Sequence, residues 1–152
     1  MTIDTVLLAI GPDEADRIDR LTEETIELAG PTDSTVVIAQ VLDQGAYDEL
    51  AVKLGFDPDN GEVFPTDVVS RHSLIRQLTD ELGAAGIDYA IRGAVGDRSE
   101  QIVRLADEVD ADSVVVGGRR RSPAGKAVFG SVAQEVMLSS PCPVTFVRSD
   151  TQ

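Results

Sequence analysis

The sequence has one cysteine, one histidine and no tryptophan, and aromatic residues make up only 4% of it. The lone cysteine, Cys142, cannot form an internal disulfide, and no acid or histidine stands beside it to activate a thiolate. With His72 as the only histidine, the chain offers no acid–base pair for a hydrolase or transferase. The scarcity of aromatic rings also disfavours a flavodoxin-like electron carrier. These absences favour a binding protein over an enzyme.

Long apolar runs are missing as well. No stretch of about eighteen apolar residues occurs, so no transmembrane helix is predicted. The chain starts Met1-Thr2-Ile3-Asp4, without the basic segment of a secretory signal. We therefore expect a cytoplasmic protein.

Lysine is nearly absent from a strongly acidic chain. Seventeen Asp and ten Glu stand against eleven Arg and two Lys, and the formal net charge is −14. Such a surface suits a salt-rich cytosol, because a Debye length of about 3 Å at 1 M salt removes the self-repulsion. This predicts a halophilic source, with an ordinary acidic mesophilic protein as the alternative. In both cases generic binding to nucleic acid or to an anionic membrane is disfavoured.

Short apolar runs rich in β-branched residues alternate with longer segments of helical periodicity. This pattern predicts one α/β domain over residues 1–152, with a parallel sheet covered by helices on both faces. The predicted strands are residues 5–10, 35–41, 87–92, 113–116 and 144–147. The second and fourth are apolar nearly throughout and should be central, whereas the alternating third strand should lie at an edge.

Local signals place helices between these strands. Helices are predicted at about residues 13–29, 67–82, 98–109 and 131–138. Capping boxes that begin at Asp97 and Ser131 mark the starts of the last two, and Pro141 ends the last. His72 falls on the apolar stripe of the second predicted helix, which favours a hydrogen-bonded core histidine over a catalyst or ligand.

The connection from Asp43 to Pro65 is too long for a standard crossover loop, which predicts local structure within it. Residues 47–54 favour a short helix, and residues 57–61 favour turns. A calcium loop among these aspartates is excluded, because the glycine comes one position early and no glutamate follows at the required spacing. No metal site is predicted.

The segment between the fourth strand and the last helix carries the clearest functional signal. From Ser113 to Gln134 it has four basic residues and no acid. Gly117 and Gly118 at a strand end let a ligand approach the backbone, and Gly130-Ser131 opens a helix whose free N–H groups can hold phosphate. This favours a bound phosphorylated ligand. The alternative is a simple turn, a serine cap and arginines paired with surface carboxylates.

Two other phosphate-linked folds do not match. An ATPase P-loop would need a glycine and a hydroxyl residue where this chain has Arg120 and Ala127. A receiver domain would need clustered acids at the first and third strand ends and a lysine at the last strand. Neither pattern is present.

The same segment resembles the signature of the universal stress protein family, which is a glycine, two residues, a glycine, nine residues and then Gly-Ser. Gly117, Gly130 and Ser131 fall in register. Residues 133–144 resemble the family's last helix and its passage into the final strand, and Gly93 also fits. The similarity spans most of the chain.

This resemblance implies a doubly wound, Rossmann-like sheet of five parallel strands in the order 3-2-1-4-5 and a homodimer joined through the last strand. In one subgroup it also implies ATP, with Mg if bound, at the ends of strands 1 and 4. The nucleotide-binding positions carried over by resemblance are Ile10, Gly11, Val41, Val116, Gly117, Arg120, Gly130, Ser131 and Val132. No catalytic residue is carried over, so any ATP hydrolysis would be slow and incidental.

Two positions depart from the family pattern. Arg120 replaces the second glycine, and it either obstructs the phosphate loop or adds a charge-assisted contact to it. Gly11, followed by Pro12, replaces the aspartate of the ATP-binding subgroup and removes an expected partner for the nucleoside. Two functions stay open: a regulatory protein that binds an adenine nucleotide, and a nucleotide-free homodimeric adaptor that contacts an unknown protein partner.

Overall fold

The computed structural model describes residues 3–11, 17–57, 59, 63–118 and 130–148. Along these residues, strands and helices alternate as the sequence predicts. The strands are β1 Thr5–Ile10, β2 Thr35–Leu42, β3 Tyr89–Val95, β4 Ser113–Gly118 and β5 Val144–Arg148. The helices are α1 Ile18–Ala29, α2 Gln44–Lys53, α3 Pro65–Val69, α4 Ser73–Ala84, α5 Arg98–Glu108 and α6 Ser131–Ser139. No helix in this described part has both the length and the apolar character that a membrane span requires.

The strands form one parallel sheet in the order β3-β2-β1-β4-β5. This confirms the predicted order, the edge position of β3 and the central positions of β2 and β4. In register, Leu8 of β1 lies between Ile38 of β2 and Val115 of β4. The chain adds β2 and β3 on one side of β1, and then β4 and β5 on the other. The point between β1 and β4 is therefore the topological switch point, where open α/β sheets bind their ligands.

Helices cover both faces of this sheet, as predicted. Because side chains along a strand alternate between faces, Leu8 packs toward α1 and α4 whereas its neighbour Leu7 packs toward α5 and α6. Both leucines are completely buried. Burying such a side chain contributes roughly 1.5–3 kcal/mol, so each layer is held by its own apolar cluster.

The long connection between β2 and β3 forms two helices. The predicted short helix is confirmed as α2, although it begins three residues earlier, and Asp43 caps it by accepting a 2.8 Å hydrogen bond from the Ala46 N–H. Tyr47 of α2 and Val68 of α3 are buried around Leu42, at the carboxyl end of β2. The connection thus forms a third apolar cluster beyond the end of the sheet.

Helix α3 lies directly against the edge strand β3. The Gly93 N–H donates a 3.0 Å hydrogen bond to Thr66 Oγ1, and a Cβ at Gly93 would lie 2.6 Å from the Pro65 carbonyl. Only glycine permits this approach, so Gly93 in β3 sets how closely α3 covers the edge.

The single helix predicted at residues 67–82 was wrong. Helix α3 ends at Val69 and α4 begins at Ser73, with His72 as the N-cap residue in an extended conformation. The predicted apolar stripe was therefore two separate helices. His72 is half-buried and hydrogen bonded through Nδ1 to the Gln40 side chain, so the expected polar partner is present.

The capping box predicted at Ser131 was also wrong. Gly130 occupies the N-cap position of α6 with φ of 82°, so the N-cap residue supplies no side-chain cap. Ser131 is the first helical residue and is exposed. By contrast, the capping box predicted at Asp97 is confirmed in its first half, since Asp97 Oδ1 accepts from the Glu100 N–H at 3.0 Å. Helix α1 begins at Ile18, and positions 13–16 of the predicted first helix lie outside the described residues.

Candidate functional site

A narrow, mostly apolar space opens at the switch point, where β1, β2 and β4 end. We call it the inner crevice. Its lining residues are Ala9, Ile10, Gly11, Val41, Arg98, Ile102, Val116, Gly117, Val132 and Ala133. Its volume is about 30 Å³, far below the roughly 300–1,000 Å³ of a small-molecule site. A flat apolar group would enter it only if the side chains of α5 and α6 move apart.

A wider space adjoins the inner crevice near the N-termini of α5 and α6. This outer recess is lined by Asp43, Gly96, Asp97, Arg98, Ser99, Glu100, Ser131, Val132 and Glu135. Its volume is about 520 Å³, within the range of about 300–1,000 Å³ that small-molecule sites occupy. Arg98 and Val132 line both spaces, so the two adjoin at these residues.

The positions carried over from the family are brought together in large part. Those that line the inner crevice are Ile10, Gly11, Val41, Val116, Gly117 and Val132. Ser131 and Val132 line the outer recess, and Gly130 directly precedes them in the chain. Arg120 and the other basic residues between Gly118 and Gly130 lie outside the described residues.

The amino end of α6 is suited to an anion. The first N–H groups of any helix have no acceptor within the helix, and they carry the positive end of its dipole. At α6 the N-cap residue cannot satisfy them, because Gly130 has no side chain. Phosphate oxygens are a common acceptor at such a position.

Gly11 closes the inner crevice at the end of β1 and is buried. Its carbonyl oxygen lies 3.5 Å from Nε2 of Gln40, a completely buried side chain on β2. Gln40 and Val41 are neighbours in the strand, so Gln40 points to the sheet face opposite the crevice. From that opposite face, the Gln40 amide supports the carbonyl of Gly11.

Sequence reasoning missed Arg98, which is the first residue of α5 and lines both spaces. Its Nε atom is buried and has no hydrogen-bond partner, the one such side-chain nitrogen or oxygen in the described part of the chain. The only sequence signal was the motif Asp97-Arg98-Ser99-Glu100, which was interpreted as a helix start. Helical periodicity does not show that the turn between β3 and α5 places this arginine at the switch point.

Carboxylates flank Arg98 in the outer recess, and they are Asp43, Asp97, Glu100 and Glu135. The Glu100 N–H and the Ser99 hydroxyl donate to Asp97 and hold the pKa of that carboxyl below its ordinary value. Asp97 is therefore ionised and hydrogen bonded to the first turn of α5. Among the described residues, no group of three or more metal-ligating side chains converges anywhere.

Comparison with known proteins assigns the family. The model of the universal stress protein family matches residues 2–148. The chain belongs to the universal stress protein family. The sequence resemblance is thereby confirmed, and this universal stress protein has the strand order that the resemblance implied.

Two curated relatives and one solved structure illustrate the similarity. A universal stress protein of Mycolicibacterium smegmatis is 34% identical over 89 residues, which are 58% of this chain and 68% of the relative. A universal stress protein of Methanothermobacter thermautotrophicus is 27% identical over 142 residues, 91% of this chain and 92% of the relative. A universal stress protein solved in complex with cAMP superposes with a TM-score of 0.65 at 26% identity, over 99% of this chain and 100% of that one.

Proposed function

We propose that this universal stress protein is a regulatory protein that binds an adenine nucleotide across the inner crevice and the outer recess. The observation that carries the proposal is that an apolar slot adjoins a recess at a helix N-terminus with a glycine N-cap, at the switch point of the sheet. The related structure that contains cAMP supports an adenine nucleotide as the ligand class.

The residues divide into two roles in this proposal. Val41 and Val116 offer an apolar surface to the base, because both line the inner crevice and belong to the apolar cluster on the α5–α6 face of the sheet. Ile10 lines the crevice beside Gly11. Gly117 lets the ligand approach the β4 backbone closely, since it has no side chain. The amide groups that follow Gly130 hold a phosphate group.

The proposal extends to ATP, the nucleotide that the family resemblance implies. Phosphates of ATP would bring their own Mg²⁺, since the described residues hold no converging group of metal ligands. Hydrolysis is not part of the proposed function. The cytoplasmic location and the halophilic source stay predictions from the sequence.

Calorimetric titration with ATP, ADP, AMP and cAMP in high salt tests the proposal, because high salt suppresses nonspecific surface electrostatics. Gly130→Val should weaken phosphate-dependent binding, since φ of 82° at Gly130 is strained for valine and the amino end of α6 would shift. Gly55→Val is the matched control: Gly55 has φ of 88°, and at both glycines an added Cβ meets nothing within 4 Å. Both variants should lose similar stability, but only Gly130→Val should lose affinity.

Wild-type binding that survives Gly130→Val unchanged would put the phosphate elsewhere on the protein. The nucleotide-free homodimeric adaptor is the second candidate. It is favoured by Gly11, which supplies no carboxylate to a nucleoside, and by β5, which is an edge strand of the described sheet. A wild-type dimer that binds none of the four nucleotides would establish the adaptor instead.

A further inference from the structure

We propose that Arg98 is the anion-binding side chain of this site and that the recess around it prefers ligands with one phosphate group to ATP. The inference rests on the proposed function and deepens it. It names the side chain that binds the phosphate and the number of phosphate groups that the recess prefers in its ligand. The sequence motif and the family signature assign no ligand role to this position.

The first observation is the unsatisfied donor. Arg98 Nε is buried without a hydrogen-bond partner, and an unsatisfied buried donor on a charged group is costly. Folded proteins rarely retain such a donor, and one that remains is explained by strain, a functional role, or a bound water or ion. An anionic oxygen is the natural acceptor, because a guanidinium donates in a planar fork that matches phosphate.

The second observation is the location of Arg98 between the two spaces. Arg98 lines both the inner crevice and the outer recess, so it stands where an adenosine group held by the crevice would meet its phosphate. Ser131 and Val132, at the start of α6, line the same recess. One phosphate between Arg98 and the α6 amide groups would satisfy donors of both kinds.

The third observation is the charge of the surrounding wall. Four carboxylates line the outer recess, and Arg98 is the single cation among those of its lining residues that the structure describes. Asp97 in particular keeps its negative charge, because hydrogen bonds from Ser99 and Glu100 stabilise the carboxylate. Each further phosphate would add like charge beside these groups. A nucleoside monophosphate or cyclic monophosphate therefore fits the recess better than a triphosphate.

Calorimetric titration with adenosine, AMP and ATP separates the parts of this inference. Wild type should bind AMP more tightly than adenosine. Arg98→Gln should lower AMP affinity about tenfold to a hundredfold, the range for a hydrogen bond to a charged group, and leave adenosine affinity unchanged. The AMP affinity of Arg98→Lys should lie between those of wild type and Arg98→Gln, because lysine keeps the positive charge but lacks the planar fork of donors.

Arg104→Gln is the matched control. Arg104 lies on the same helix, is largely exposed and pairs with Glu108, so its removal changes net charge equally without touching the recess. AMP affinity should not change in this variant. Glu135→Gln should reduce the difference between AMP affinity and ATP affinity, because it removes one repulsive carboxylate from the wall of the recess.

Thermal melts of each variant distinguish binding from folding. Arg98→Gln should melt at or above the wild-type temperature, since it removes an unsatisfied donor. Wild-type AMP binding that Arg98→Gln leaves unchanged overturns the inference alone. ATP binding by wild type as tight as AMP binding overturns the single-phosphate selection. Wild type that binds neither adenosine nor AMP overturns the proposed function together with this inference.

Discussion

The Nε2 atom of Gln40 lies 2.9 Å from the Nδ1 atom of His72, and Oε1 of the same amide lies 3.1 Å from that nitrogen. A neutral imidazole accepts from the amide N–H, whereas a protonated one donates to the amide oxygen. The contact joins the interior of β2 to the start of α4. Since Gln40 also reaches the Gly11 carbonyl, the pair supports the loop that closes the inner crevice.

Unfolding should be easier in mild acid because of His72. Burial, followed by the charge of Lys53, lowers the pKa of His72 from its ordinary value near 6.5. Between the lowered folded value and 6.5, the unfolded chain binds more protons than the folded chain, so stability rises with pH across that window. His72→Gln should flatten this dependence. Urea unfolding at several pH values measures it, and an unchanged slope in the variant would refute the assignment.

Gly93→Ala should destabilise the protein by about 1–3 kcal/mol, the cost of forcing atoms into a packed contact. The new Cβ would lie 2.6 Å from the Pro65 carbonyl and push α3 away from β3. Gly83→Ala in α4 is the control, because its Cβ would meet nothing within 4 Å in an exposed helix position. That control should gain up to about 1 kcal/mol. Equal effects of the two substitutions on the free energy of unfolding would contradict this account.

A homodimer joined across β5 is the third prediction. β5 pairs with β4 on one side only, and the free side of an edge strand is open to pairing with a second chain. Sedimentation at micromolar concentration should give twice the monomer mass of 16.2 kDa. Val144→Pro should dissociate the dimer, because it removes a backbone donor that faces away from β4. The Val114 N–H donates to the Pro143 carbonyl, so the parallel register turns the N–H of Thr145, and not that of Val144, toward β4. A monomeric wild type rules out this interface, and a melt of the variant checks that the fold persists.

Salt should stabilise the folded chain. With a net charge of −14, self-repulsion favours expansion in dilute buffer and is screened in molar potassium chloride. We expect a higher melting midpoint in the concentrated salt. Sodium chloride at equal ionic strength serves as the control for a specific potassium effect. Identical midpoints in dilute and concentrated salt would be incompatible with the halophilic interpretation.

The predictable part of this fold is encoded over short distances. The run Thr35–Leu42 is apolar except at Thr35 and Gln40 and is β-branched for most of its length. It forms a central strand because only a strand covered on both faces buries such a run. Asp97 precedes α5 with the side chain that its exposed amide groups require. Such signals act between neighbouring residues, so they can be recognised without coordinates.

The errors arose where a distant contact decided the local structure. The periodicity through residues 67–82 continues across a break at His72, and that break coincides with the hydrogen bond from His72 to Gln40 in another element. At α6 the N-cap residue is Gly130 and not Ser131, because a glycine with φ of 82° makes the turn into the helix. Composition alone does not distinguish these choices.

The sequence by itself determined the alternation of strands and helices, the family, and most of the positions that line the inner crevice. Only the tertiary structure decided that α2 and α3 cover the end of the sheet and that Arg98 joins two spaces with a buried, unsatisfied Nε. The physical reason is the sequence separation of the residues that interact. Secondary structure follows from interactions a few residues apart, whereas a site is assembled from strand ends and helix starts that are distant in the chain and meet only when the sheet is complete.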